Sequence, residues 1–133
     1  LRVITAEARS YLGVTSVGHR RYDVVVSDCF GGAEPVRGLA TVEALRLVRG
    51  SLNPGGIYVA NIVSANRGSD VTFLRDCAAT ALEVFAHAWV VPCVDAEFGG
   101  EENYLLIASD GNYAFAEAVP FDADFLGTVL HDK

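Results

Sequence analysis

Three places in this 133-residue sequence set a polar side chain just past an apolar, strand-like run. Asp28 follows Val24–Val26, Asn61–Ser64 closes the run Ile57–Val63, and Glu7 stands just past Leu1–Thr5. Ligands of open α/β sheets bind beyond the carboxyl ends of the strands, so these are the positions from which a side chain reaches a ligand. Asp28 stands out, because its carboxylate emerges where an apolar strand meets Gly31–Gly38, a loop of glycines and one proline able to cover a ligand. The same carboxylate can instead cap the turn by accepting backbone N–H bonds. Residue type and position leave both readings open.

Other chemistry finds less support. Cys29, Cys77 and Cys93 form no close-spaced pair, and His19, His87 and His131 are scattered, which argues against a disulfide framework and a metal site. Cys29 directly follows Asp28, a carboxylate that disfavours the thiolate and blunts it as a nucleophile. Gly31-Gly32 and Gly55-Gly56 read as turns rather than phosphate cradles. Trp89 reads as a core or edge anchor, and His87 as a helix-end residue facing the last carbonyls.

The elements that must position Asp28 alternate between strand and helix. Leu1–Thr5 reads as a short strand, Ala6–Leu12 as helix-forming, and Gly13–Arg21 as a loop. Tyr22–Ser27, with three consecutive valines, suits a strand buried on both faces. Thr41 caps a helix running to about Leu52, with Ala44, Leu45, Val48 and Leu52 on one face. Asn53-Pro54-Gly55-Gly56 then stops it and turns the chain. Ile57–Val63 is a second inner strand, and Ser69 or Asp70 opens a helix with Leu74, Cys77, Ala78, Ala81 and Phe85 on its apolar face. Ala88–Val94 and Asn103–Ala108 form a closing hairpin around Gly99-Gly100, and Pro92 assigns the first of these strands to an edge or a bulge. The order predicts an α/β, doubly wound sheet, mostly parallel, with a C-terminal antiparallel hairpin at one side. Residues 1–110 form the domain, and 111–133 are a tail rich in alanine and acids.

Composition sets outer limits. Apolar residues make up 51% of the chain, enough for a core and too many for a disordered tail. The longest apolar runs are about seven residues, against the roughly 20 needed to span a bilayer, so a soluble, cytoplasmic protein without membrane contact is expected. Seventeen acidic residues against 10 basic ones give a net charge of −7, which disfavours nucleic acid and tolerates a cationic ligand. The acids are dispersed apart from Glu97, Glu101 and Glu102, a loop that reads as a solvated hairpin tip. The sequence has no methionine and begins at Leu1, which suggests a portion of a longer parent.

Taken in order, several blocks resemble the spermidine synthases, and more closely the bacterial spermidine-synthase-like proteins. Tyr22-Asp-Val-Val-Val-Ser-Asp28, then Pro35, Leu39 and Thr41, then Leu52-Asn-Pro-Gly-Gly-Ile-Tyr-Val-Ala-Asn61 look like the family's central block. Glu7-Ala8-Arg9-Ser10-Tyr11-Leu12 is similar to its Asp-Ala-Arg element. Val90-Val-Pro-Cys-Val with Asn103-Tyr-Leu-Leu-Ile-Ala-Ser109 resembles its closing hairpin, and Val129-Leu130-His131-Asp132 a Val-Leu-Thr-Asp stretch.

The resemblance implies the C-terminal part of a Rossmann-like domain of the S-adenosylmethionine-dependent methyltransferase type. The implied reaction is aminopropyl transfer from decarboxylated S-adenosylmethionine, a co-substrate rather than a tightly bound cofactor, to a polyamine or related amine. No metal is needed, because a sulfonium is already a good leaving group. Asp28 would be the base, with Glu7 and Ala8 against the adenine.

The sequence departs from the family in three ways. Gly31 stands where a second aspartate is usual and Val94 where a tyrosine is usual, so two groups that hold a polyamine are lacking. Glu7 replaces an aspartate one methylene shorter. The Gly-x-Gly-x-Gly loop that holds the co-substrate has no counterpart in these residues, and catalysis is expected only of an intact parent. Two strands of the related fold would separate Leu1–Thr5 from Val24–Val26, so the latter should keep an open apolar edge and favour a homo-oligomer, unless the N-terminal strand refolds to cover it. A methyltransferase of the same fold and a non-catalytic association module stay open beside the transferase reading.

Overall fold

A computed structural model describes residues 1–18, 21–28, 30–31, 34–35, 37–63, 72–93 and 103–133, and of residues 30, 31, 34, 35 and 37 the backbone alone. Cys29, Ser64, the helix start at Ser69 or Asp70, Val94 and the Glu97–Glu102 loop lie outside the described residues.

The sheet forms as the alternation of elements predicts. Helix α1 (Ala8–Val17) leads into β1 (Tyr22–Ser27), followed by a two-residue pair β2 (Phe30–Gly31) and β3 (Glu34–Pro35) and a single 3-10 turn Arg37–Leu39. Then come α2 (Val42–Gly50), β4 (Leu52–Val63), α3 (Thr72–Val84), β5 (His87–Cys93) and β6 (Asn103–Ser109). The four long strands lie in the order β1-β4-β6-β5. Strand β4 runs parallel to β1, with Val24 opposite Ile57 and Ser27 opposite Ala60, and antiparallel to β6. Strand β5 pairs antiparallel with β6, so it runs in the direction of β1 and β4. The reversed strand is therefore not outermost. It sits between β4 and β5, and β5, the strand with Pro92, takes the edge, where a missing N–H costs no ladder bond.

The core occupies one face of this sheet. Tyr58, Ala60 and Ile62 of β4, Leu106 and Ala108 of β6, and Val90 of β5 pack against Leu45 and Val48 of α2 and Leu74, Cys77, Ala78 and Ala81 of α3. Ala44, Leu45 and Val48 form the apolar stripe expected of α2, but the helix stops at Gly50 and Leu52 opens β4 instead, and Thr41 caps α2 by accepting a bond from the Ala44 amide at 3.3 Å. Burial along β4 alternates residue by residue. The three valines of β1 are likewise not buried on both faces. Val25 packs on the core, while Val24 and Val26 are 51% and 66% exposed. Register puts these two on the face of Ile57 and Val59, away from the helix-covered residues, and β1 is itself an edge strand.

The structure differs from expectation at four further places, each for a local reason. Leu1–Thr5 is not a strand; it has no ladder partner among the described residues, and Leu1, Val3 and Ile4 are exposed. A strand needs a neighbour for its backbone groups, and apolar composition cannot replace one. The supposed loop after Leu12 continues α1 to Val17. Gly13 costs that helix about 1 kcal/mol, but Thr15 is buried and its hydroxyl lies 2.7 Å from that of Ser51, which ties the last turn to the end of α2. Asn53–Gly56 is not a free turn but an irregular stretch of β4, where the pairing jumps from Tyr22–Leu52 to Val24–Ile57. Gly55 takes φ 74° there, a conformation that favours glycine. His87 belongs to β5 rather than to a helix end, and its ring stacks on Trp89 at 5.8 Å.

The segment after Asp110 has little regular structure, yet it is firmly attached. Tyr113 and Phe115 lie against Trp89, as an edge anchor requires, and the Val119 amide bonds the Val90 carbonyl at 2.9 Å. Arg75 donates to the carbonyls of Phe125 and Asp124 at 2.6 and 3.0 Å, and the Thr128 amide bonds Asp76 at 2.8 Å. Leu130 enters the core, its amide bonding the buried Thr80 hydroxyl at 2.9 Å and its carbonyl the Val42 amide at 2.9 Å. Replacing Thr80→Val keeps the shape and strands the Leu130 N–H. A loss of about 1–3 kcal/mol is expected in urea unfolding, whereas an unchanged midpoint would mean that this staple contributes nothing.

Candidate functional site

Parallel pairing of β1 with β4 brings their carboxyl ends side by side. Ser27 is opposite Ala60, so Asp28, just past the end of β1, stands beside Asn61, which stays in β4 opposite Leu105. The Asn61 side-chain amide donates to Asp28 Oδ1 at 3.0 Å. This is the sole bond to the Asp28 carboxylate among the described residues, and the group is exposed. An amide partner fixes one oxygen and leaves the other directed by the same planar group.

Two cavities meet behind this pair. One of about 40 Å³ is lined by Ser27, Leu39, Tyr58, Asn61, Phe73 and Cys77. A water's share of liquid volume is about 30 Å³, so this space takes one small group, not a whole substrate. The second, of about 290 Å³, lies between α1 and β1 and shares Ser27, Leu39 and Tyr58 with the first. Its walls are mainly apolar, with Ala8, Leu12 and Val25 among them, and the Tyr11 and Tyr22 hydroxyls stand 3.1 Å apart within its lining. Asp28 lines neither cavity, but it directly follows Ser27, which lines both, and an apolar slot of this size suits an aliphatic or flat ligand body.

The expected residues divide on this geometry. Asp28 and Asn61 come together, and Ala8 lines the larger cavity. Glu7 is occupied otherwise, as the N-cap of α1. Its carboxylate accepts from the Arg9 amide at 3.1 Å, the Ser10 amide at 2.7 Å and the Ser10 hydroxyl at 2.6 Å. The Ser10 hydroxyl bond, followed by its amide bond, holds Glu7 below the ordinary carboxylate range. Gly31 lies in β2 and adds no side chain. No cluster of metal-ligating side chains occurs among the described residues, and no helix among them is long and apolar enough to cross a membrane.

Sequence reasoning missed the pocket walls, Leu39, Tyr58, Phe73 and the tyrosine pair, because they come from separate elements and share no spacing. It also missed a polar cluster at the start of α2. Arg9 grips Asp132 through both guanidinium nitrogens, at 3.1 and 2.6 Å, and donates to the Gly38 carbonyl at 2.8 Å. The Thr41 hydroxyl donates to Asp132 at 2.8 Å, and the Asp132 amide donates to Glu43 at 3.0 Å. The Arg9 bond, then that of Thr41, pulls Asp132 below the usual range, and the Asp132 amide does the same to Glu43.

Carboxylates lowered by folding stabilise the fold fully above their unfolded values of about 4, and that contribution is lost as pH falls through the lowered ones. Melting followed by circular dichroism should therefore show Asp132→Asn only slightly less stable than wild type near neutrality, as befits a solvent-exposed pair, with the small gap closing in acid. A gap constant with pH would contradict the assignment.

No family model matches the sequence. Among solved structures, the chain is similar to a probable spermidine synthase from Corynebacterium glutamicum, at 28% identity and TM-score 0.67 over 84% of this chain and 38% of that one. It is similar to human methyltransferase-like protein 13 in complex with SAH, at 20% identity and TM-score 0.63, over 81% of this chain and 48% of that one. It is also similar to a spermidine synthase in complex with the transition-state analogue AdoDATO, at 18% identity and TM-score 0.67, over 83% and 36% of the two chains. The chain thus spans less than half the length of each. Its architecture is that of a partial doubly wound sheet of the Rossmann-like methyltransferase fold, which spermidine synthases and methyltransferases share.

Proposed function

We propose that this chain is the amine-acceptor side of a spermidine-synthase-like transferase, with decarboxylated S-adenosylmethionine as co-substrate and a polyamine or related amine as acceptor. The observation that carries the reading is the Asp28 carboxylate just past β1, held by Asn61 at 3.0 Å and directly following Ser27, which lines both cavities. In aminopropyl transfer the amine nitrogen attacks the carbon beside the sulfonium. The C–S bond breaks with its electron pair going to sulfur, and the nitrogen must shed a proton. A carboxylate fixed by one amide partner can receive that proton and stabilise the positive nitrogen as it forms. Asn61 would then be an orienting group, because its bond to Oδ1 holds the plane of the carboxylate.

Gly31 makes this a one-carboxylate site where a spermidine synthase usually has two, so the acceptor is held more weakly and a monoamine end suffices. The similarity to spermidine synthases at TM-score 0.67 supports the reading. A methyltransferase of the same fold is the second reading, supported by the likeness to methyltransferase-like protein 13 and by the lone carboxylate. Under it, Asp28 would orient an acceptor rather than take its proton. With no glycine-rich co-substrate loop in its sequence, the 133-residue chain is proposed to bind amine without turning it over.

Titration with putrescine, followed by amide resonances, should perturb Ser27, Asp28, Leu39 and Asn61, with a dissociation constant of about 1 mM or weaker. Asp28→Asn should weaken it about tenfold, because a neutral amide cannot pair with an ammonium. Shifts that persist unchanged in Asp28→Asn would sink the acceptor reading.

For this chain we also propose a homo-oligomer through β1, the outermost strand of the sheet among the described residues, whose Val24 and Val26 are exposed. Light scattering should give a mass about twice that of one chain, reverting to one with Val24→Lys and Val26→Lys combined. A monomeric mass for the unsubstituted chain at high concentration would refute this association.

A further inference from the structure

Two of the sequence blocks that resemble the spermidine-synthase-like proteins play no part in the chemistry proposed above. They are the Glu7-Ala8-Arg9 element and the C-terminal Val129-Leu130-His131-Asp132 stretch. They are 123 residues apart in sequence, yet Arg9 and Asp132 meet in a two-pronged pair. We propose that Arg9 and Asp132 are the two jaws of a clamp that positions the turn Arg37–Leu39 against the ligand pocket and thereby sets the pocket's affinity for its amine. The second half of this inference rests on the pocket being the acceptor site.

The geometry favours positioning over bulk stabilisation. The Arg9 and Asp132 side chains are 29% and 39% exposed, and a pair so open to water adds little to global stability. Its bonds instead converge on one small region. The guanidinium nitrogen that binds Asp132 Oδ1 also donates to the carbonyl of Gly38, in the middle of the 3-10 turn. Asp132 Oδ1 in turn accepts from Thr41, the cap residue two positions past the end of that turn. The turn is thus held at its middle by Arg9 and just past its end by Asp132, two residues joined to each other.

Leu39, between the two grips, lines both cavities, and Ala40 lines the smaller one. Ala8, next to Arg9 at the start of α1, lines the larger. A sub-ångström displacement of the clamp therefore moves two walls of the slot at once. The C-terminal chain arrives at the clamp already anchored, by Leu130 in the core and by Thr128 on Asp76, so its last residues need no further ordering. Glu43 takes the Asp132 amide on the α2 side, and the His131 ring lies 3.4 Å from Glu43. Neither Arg9 nor Asp132 lines either of these two cavities, so both are assigned as positioning residues rather than catalytic ones.

Two substitutions separate charge from shape. Asp132→Asn keeps the outline and removes the charge, while Arg9→Lys keeps the charge and loses the planar fork. Amide hydrogen exchange on the 133-residue chain provides the first readout, through Val42, bonded to the Leu130 carbonyl, and Asp132, bonded to Glu43. Exchange at these two should rise about tenfold or more in Asp132→Asn and less in Arg9→Lys, with Tyr58 and Ala60 within about twofold of wild type. The second readout is putrescine titration, in which the apparent dissociation constant should rise about fivefold in Asp132→Asn as the slot loses its preorganisation.

Unchanged exchange at Val42, or a rise shared equally by Tyr58 and Ala60, overturns the clamp, because the pair would then be inert or merely part of global stability. Local loosening with unchanged putrescine affinity overturns its link to the site. If putrescine gives no shifts in wild type, the acceptor reading fails, and exchange alone decides whether the clamp holds the turn.

Discussion

Strand β4 carries ladders on both edges, parallel to β1 and antiparallel to β6, and the molecule is organised around that double pairing. A strand bonded on both sides has no freedom to slip, because a one-residue shift would turn Tyr58, Ala60 and Ile62 out of the core. The fixed register has a chemical consequence at the carboxyl end. With Ser27 opposite Ala60, the side chains of Asp28 and Asn61 have to emerge as neighbours. The irregular stretch at Asn53–Gly56 belongs to the same constraint. It takes up the surplus residues at the other end of β4, so the paired part can run in register to its tip.

Burial in this chain is one-sided. Helices α2 and α3 close one face of the sheet, while Val24 and Val26 look away from them and remain exposed. The C-terminal segment compensates in part by binding the helical layer from outside and laying Tyr113 and Phe115 on Trp89 at the far edge. It is held less by apolar area than by hydrogen bonds to side chains of α3, notably Arg75, Asp76 and Thr80. A segment without regular structure must satisfy its own backbone groups, and those three side chains do so.

The candidate site combines these two features. Its polar end comes from the parallel pair, and one apolar wall comes from the turn that the C-terminal residues grip. In that arrangement Asp28 supplies one carboxylate, and the residue at position 31 is a glycine.

The sequence determined the local part of this result. Strand–helix alternation, the apolar stripe of α2, the cap at Thr41 and the edge position of the Pro92 strand are consequences of periodicity and backbone chemistry, and all could be read from residues a few positions apart. So could the placement of Asp28 just past a strand and of Asn61 in the last residues of another. Their bond to each other could not, since it depends on the register of two strands separated by a helix. The exposure of Val24 and Val26 was hidden for a similar reason. Three valines are equally compatible with one covered face or two, and only the placement of the helices decides. Leu1–Thr5 has strand composition, but pairing is a property of two segments, and its partner is not among the described residues. The Arg9–Asp132 clamp lay furthest from view. Each residue is an ordinary surface charge in its own segment, and only tertiary structure, by docking the last residues of the chain on the first helix, makes them one group.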